Sequence, residues 1–136
     1  DDIWLVYKLH KQIENTKNYD VVGTQIMYID EDGRCPTKYG TGPMLATDNK
    51  KICELTKAYH NQIANSSALI KKSSLENVGG WDESLPALED LDLWIRMIKE
   101  NNKFTNIDEI LVMHRVHEGS NFNQKKWDPK ELFSSK

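Results

Sequence analysis

The chain has 136 residues, 18 basic against 21 acidic, for a net charge of −3. That length suits a single domain with a core that needs no cross-links. The near-balanced charge and the scatter of the lysines, densest at Lys71-Lys72 and Lys125-Lys126, argue against nucleic acid as a partner. No apolar run approaches the roughly 20 residues of a membrane span, and the opening residues do not read as a signal peptide. Cys35 falls in a loop and Cys53 in a helix, without metal-type spacing, so both read as buried or free thiols of a reducing compartment. Asn65-Ser66-Ser67 fits a glycosylation sequon, and nothing else points to secretion.

Leu5, Leu9 and Ile13 recur every fourth residue and predict an amphipathic helix over 3–15, capped by Asp1 or Asp2. Val21, Val22, Ile26, Met27, Tyr28 and Ile29 fall on both parities, as in a strand buried on both faces. Glu31-Asp32-Gly33 closes that strand with a turn, and residues 34–47 form a loop without periodicity. Residues 48–59 predict a helix with Ile52, Leu55 and Tyr59 on one side and Thr47 or Asp48 as its cap. A short strand over 67–71 and one or two helical turns over 73–78 follow. Leu88, Leu91, Trp94, Ile95 and Ile98 make the strongest helical stripe, stopped at Asn101-Asn102. Residues 104–107 and 110–116 predict two short strands, and the tail from Glu118 is polar, with Trp127 and Leu132-Phe133 as isolated apolar points. Strands and helices alternate, so the class is α/β with a mixed sheet. Trp4 and Trp94 read as core residues.

The densest chemistry lies in Gly79-Gly80-Trp81-Asp82-Glu83 and in the acids Glu89, Asp90 and Asp92 that open the strongest helix. A Gly-Gly pair permits a turn closed to most residues. A carboxylate at the start of a rigid helix beside such a loop can serve as a general base; it can equally be an acid placed where the helix dipole favours negative charge. Trp81 can stack on the apolar face of a sugar or fill the core behind the turn. Arg96 pairs with Asp92 at helical spacing. His10, His60 and His114 read as structural.

This stretch resembles the "GG-aromatic-D/E … ED" segment of family 2 glycosyltransferases of the GT-A fold. Asp1-Asp2-Ile3-Trp4-Leu5 with Lys8-Leu9 and Gln12 resembles that family's "DxDD-I-W … KL … Q" segment, entered inside the metal-binding DxD motif. Asn65-Ser66-Ser67-Ala68-Leu69-Ile70 and Arg115-Val116-His117 resemble its pre-loop strand and its closing "R-x-H". Val6-Tyr7 departs from the family, which commonly has a Pro there. The resemblance implies a partial GT-A fold, with residues 1–121 as the acceptor-binding, catalytic half and 122–136 as a polar tail. It implies Asp90 as the base and Glu89 as an orienting acid. Gly79, Gly80, Trp81, Asp82 and Arg115 would bind substrate, and Asp1, Asp2 and His117 would hold Mn²⁺ or Mg²⁺. The partners so implied are a nucleotide-sugar donor and a saccharide or glycolipid acceptor, with polysaccharide assembly as the setting. The location implied is the cytoplasm, with peripheral association at the cytoplasmic face of a membrane as a further option. An unpaired sheet edge would also favour self-association. The competing readings are a non-catalytic module built on a transferase half, and a metal-dependent hydrolase using Glu89, Asp90 and Asp92.

Overall fold

The structure is a computed structural model and describes residues 2–119 and 126–134. A four-stranded mixed sheet has the order β1-β4-β2-β3, where β1 is Ile3–Trp4, β2 Val21–Ile29, β3 Leu69–Ile70 and β4 Phe104–Arg115. The central pair, β2 and β4, is parallel, while β1 and β3 pair antiparallel at the two edges. The helices are α1 (Lys8–Ile13), α2 (Asn49–Lys57), α3 (Lys72–Asn77), α4 (Glu89–Lys99) and α5 (Pro129–Leu132). The mixed α/β sheet is the class expected from the alternating pattern.

β2 is buried along almost its whole length, as its two-sided apolar pattern predicts. Asp48 caps α2, accepting the Lys51 N–H at 3.2 Å. The core gathers Val21, Ile52, Ile63, Leu93, Trp94, Met97 and Phe104 between the sheet and the helices α2 and α4. Trp94 meets Phe104 edge to face, with centroids 6.2 Å apart, the arrangement that ring quadrupoles favour. The buried face of α4 runs through Leu91, Leu93, Trp94 and Met97, with Ile95 and Ile98 flanking it.

Several expectations are corrected. Residues 104–107 and 110–116 are not two strands. They form one strand whose pairing with β2 skips Asp108-Glu109, Thr24 facing Ile107 and Gln25 facing Ile110. A bulge absorbs the two acids without ending the ladder. In the polar tail, α5 forms and Phe133 packs on Tyr59 with ring centroids 6.0 Å apart, so one of the isolated apolar points meets the domain.

The largest correction is at the start of the chain. Helix α1 begins only at Lys8, its cap position is Tyr7 rather than an acid, and Ile3–Trp4 joins the sheet instead. Moreover, α1 is turned over: Leu9 and Ile13 are exposed, whereas Lys8 and Gln12 are buried. Trp4, expected in the core, is 59% exposed. The reason is hydrogen bonding. The Gln12 amide N–H₂ donates to Val22 O at 2.6 Å and to Ser67 O at 2.7 Å, and its oxygen accepts from Lys8 Nζ at 2.7 Å. Both carbonyls lie beside the sheet interior, where an unpaired acceptor is expensive. The polar side of α1 therefore faces inward and fixes how the helix sits. Lys8 also lies 3.9 Å from the centre of the Trp4 ring, and its burial lowers its pKa.

Removing the Gln12 amide should accordingly cost more than removing an apolar side chain from the same helix. In urea denaturation at concentrations where the chain is monomeric, Gln12→Ala is expected to lose about 1–3 kcal/mol, the cost of orphaned buried carbonyls, while Leu9→Ala stays within about 0.5 kcal/mol of the parent. The reverse ranking would restore the Leu5-Leu9-Ile13 stripe as the packing face.

Candidate active site

Parallel strands carry their C-terminal ends to the same side of a sheet, and ligands in α/β proteins collect there. Beside the ends of β2 and β4 lies a cleft of about 390 Å³. β2 contributes Ile26 and Tyr28, β4 contributes His114, the segment before β3 contributes Asn65 and Ser66, and the start of α4 contributes Glu89 and Asp90. The volume falls in the range of small-ligand sites.

Asp90 is partly covered and Glu89 exposed. One Asp90 oxygen, Oδ1, accepts the Leu91 N–H at 2.8 Å, and Oδ2 accepts from Asn61 Nδ2 at 2.9 Å. Burial pushes the Asp90 carboxyl above the ordinary carboxylate range, and the like charge of Glu89 adds to this. The Leu91 and Asn61 donors oppose it without reversing it. A carboxylate with that bias in a cleft is suited to accepting a proton. Across the cleft, the Tyr28 and His114 rings lie 5.8 Å apart at 52°.

Asp2 reaches the same region from β1. Its Oδ2 lies 3.1 Å from His114 Nδ1, and its Oδ1 accepts the Arg115 N–H at 3.2 Å. Burial works against its charge, but the hydrogen bond and charge of His114, with the Ser66 and Arg115 donors, outweigh it and lower the pKa. The imidazole that meets Asp2 is thus His114, which the sequence leaves in a structural role; His117 lies two residues past the end of β4. Asp1 lies outside the described residues. Among the described residues no group of three or more His, Cys, Asp or Glu is gathered for a metal ion. Each Asp2 oxygen still has lone pairs to spare, so this carboxylate fits as one ligand of a Mg²⁺-type ion completed by substrate oxygens.

The Gly-Gly loop lines a second, more open cleft of about 660 Å³ with Trp81, Asp82, Glu83, Ser84 and Arg96. Gly79 and Gly80 have φ of 81° and 72°, conformations that side chains resist. Trp81 is 40% exposed, so it is not the core residue that one reading allowed. Asp82 accepts from Ser84 N at 3.0 Å and from Ser84 Oγ at 2.6 Å, which tightens the loop. Arg96 does more than pair with Asp92. Its Nε reaches Asp92 Oδ2 at 2.9 Å, while its two terminal nitrogens donate to Val78 O at 2.6 Å and Gly80 O at 2.7 Å. The planar fork ties the loop to α4. Asp92 is therefore committed to Arg96 and buried, away from the Asp90 cleft, which removes the carboxylate cluster that a hydrolase reading needs. Arg115 donates from Nη1 to Asp30 O at 2.7 Å and to Glu31 O at 3.1 Å, bracing the turn after β2.

The family model described as glycosyltransferase like family 2 matches residues 5–127, and the chain belongs to that family. The mixed sheet with its helices is a partial GT-A-like domain. An uncharacterized glycosyltransferase of Methanocaldococcus jannaschii is 28% identical over 127 residues, covering 90% of this chain and 41% of that protein. The chain thus spans about two-fifths of the length of the curated relative it matches. Among the described residues no helix is long and apolar enough to cross a membrane.

The raised pKa of Asp90 has a consequence for stability. Its folded pKa lies above its unfolded one, so the folded state binds the extra proton, and stability falls as pH rises through that window. Asp90→Asn, neutral throughout, should raise Tm at neutral pH, with the gain shrinking towards zero below the ordinary Asp range. Thermal melts of both proteins across pH check this, and a constant difference at every pH would contradict it.

Proposed function

We propose that this chain carries the acceptor-side catalytic part of an inverting glycosyltransferase that moves a sugar, of hexose type, from a nucleotide-sugar to a saccharide or glycolipid hydroxyl. The observation that carries this is the Asp90 carboxylate, lining a cleft at the strand ends with its proton affinity raised. An acceptor hydroxyl is too weak an acid to attack unaided. Hydrogen-bonded to Asp90, it would give up its proton to the carboxylate as its oxygen bonds to the anomeric carbon and the bond from that carbon to the nucleoside diphosphate breaks. One displacement inverts the anomeric centre. Glu89 would orient the acceptor, and the exposed Trp81, with Gly79, Gly80 and Asp82, would seat a sugar ring in the neighbouring cleft. Arg115 would contribute its positive charge to binding the diphosphate, with His117 beside it. Asp2, with Asp1, would hold a Mn²⁺ or Mg²⁺ ion, which supplies charge neutralisation to the leaving diphosphate. We assign residues 1–121 to this catalytic part and 122–136 to a tail. Polysaccharide assembly at the cytoplasmic face of a membrane is the setting this reading suits.

In the natural full-length protein, Asp90→Asn is expected to slow nucleoside diphosphate release from a panel of nucleotide-sugars with saccharide acceptors by about 10²–10⁴-fold. Nucleotide affinity, measured by calorimetry, should stay unchanged. Turnover at the parent rate would sink the base assignment.

A second observation favours an interaction role beside catalysis. Ile3, Trp4, Val6, Tyr7, Leu9 and Ile13 are all exposed, Val6 at 88%. Monomeric surfaces seldom concentrate large apolar side chains in one short segment. We assign this segment, with the sheet edge it borders, to self-association of the chain. Light scattering should give a dimer or larger species, and Val6→Asp with Leu9→Asp should shift it to monomer. A sharp monomer for the parent chain would contradict the assignment.

A further inference from the structure

A general base works only when its carboxylate is held in one orientation. At Asp90, Oδ1 is held from within α4 by the Leu91 N–H. Oδ2 is held from far away in sequence, by Asn61, in the segment that links α2 to β3. The Asn61 amide has no freedom to turn over. Its Oδ1 accepts the Ile63 N–H at 3.1 Å, so its N–H₂ must face Asp90.

The segment itself is pinned from two sides. The Trp94 indole N–H donates to Ile63 O at 3.2 Å, which fastens the segment to the helix that bears Asp90. From the sheet, Asn106 Nδ2 donates to Gln62 O at 2.8 Å and to Ala46 O at 2.8 Å. Asn106 occupies that position only because residue 23 of β2 is glycine. A Cβ there would lie 2.2 Å from Asn106 Oδ1, closer than any real contact. A continuous line of contacts therefore runs from Gly23 through Asn106 and the Gln62 backbone to Asn61.

We propose that Asn61 is a positioning residue for the Asp90 base, holding its carboxylate in a fixed orientation towards the cleft. This rests on the reading of Asp90 as general base and deepens it. A neutral donor suits the task. A Lys or Arg at this place would hold the carboxyl strongly ionised and leave a feeble base, whereas an apolar side chain would leave Oδ2 without its partner. Each carboxylate oxygen can accept more than one hydrogen bond, so Asn61 and Leu91 leave room for a substrate hydroxyl. The other titratable groups facing Asp90 are Glu89 on its own helix and, across the cleft, Tyr28 and His114 from the two central strands.

The test is a carbon-13 NMR titration of the aspartate carboxyls in this chain, with Asp90 assigned through Asp90→Asn and Asp2 as internal reference. Asn61→Ala removes a donor to the ionised form, so the Asp90 midpoint should move to higher pH. Asn61→Asp is nearly isosteric and replaces the donor by a like charge, so the midpoint should move further in the same direction. The Asp2 midpoint should hold in both. An Asp90 midpoint unmoved in Asn61→Asp, with native backbone spectra, overturns the proposal. The readout does not depend on turnover. Should Asp90→Asn retain transfer, the base assignment falls, while the titration still reports whether Asn61 holds the carboxylate. In the active full-length protein the same variants should shift the acid limb of the pH–rate profile upward, a change that a merely structural Asn61 would not produce.

Discussion

The parallel pairing of β2 with β4 is the constraint on which the rest of the molecule depends. It aligns the two C-terminal strand ends, so Tyr28 and His114 stand opposite each other in register. It also brings Arg115 beside Ile29, where its backbone N–H can meet Asp2 and its side chain can brace the turn after β2. Parallel strands cannot be joined by a tight turn. The long connection between them is what supplies α2, the Asn61 segment, the Gly-Gly loop and α4. The chemistry of the candidate site is therefore drawn from the crossover, while its geometry is set by the two strands. The bulge at Asp108-Glu109 lets one strand serve both ends, pairing Phe104 deep in the core and His114 at the cleft.

The N-terminal segment shows a polar constraint overriding an apolar one. Burying Leu9 and Ile13 would gain about 1.5–3 kcal/mol each, on the usual scale for aliphatic side chains. Such a rotation of α1 would withdraw the Gln12 amide from two carbonyls and strand Lys8's partner. Three hydrogen bonds in a region of low dielectric compete on equal terms with that gain. They have the further advantage of direction, because only one rotation of the helix satisfies all of them. The apolar side chains are left outside as a consequence of how the polar ones are placed.

Much of the fold was legible in the sequence where one signal dominated. The two-sided apolar run of β2, the Asp48 cap of α2 and the amphipathic α4 each had a single strong cause, and each formed where expected. The failures came where two causes competed. The four-residue spacing of Leu5, Leu9 and Ile13 is genuine, but nothing in a sequence says that Gln12 will find Val22 and Ser67 across the chain. In β4, two adjacent acids read as a break because local composition does not reveal a bulge. At the site, the loop glycines and the acids of α4 were visible because unusual backbone and clustered charge are local features. His114 alternates with Val112 and Val116, which is a signal for the same face of a strand, but its neighbour Asp2 lies 112 residues away. Asn61 carries no local signal at all; its role exists only through Ile63, Trp94 and Asn106.

The Arg96 fork grips the Gly-Gly loop solely through main-chain oxygens, those of Val78 and Gly80. Whatever side chains follow the glycines, those oxygens remain. Asp82 and Ser84 tighten the loop through their own bonds, but Trp81 and Glu83 can change identity without loosening the grip of Arg96. Were the loop to seat the acceptor as proposed, exchange of its exposed side chains would alter which acceptor is held while the attachment of the loop to α4 stayed the same. Recognition and chemistry would then change separately, with one guanidinium as the boundary between the two.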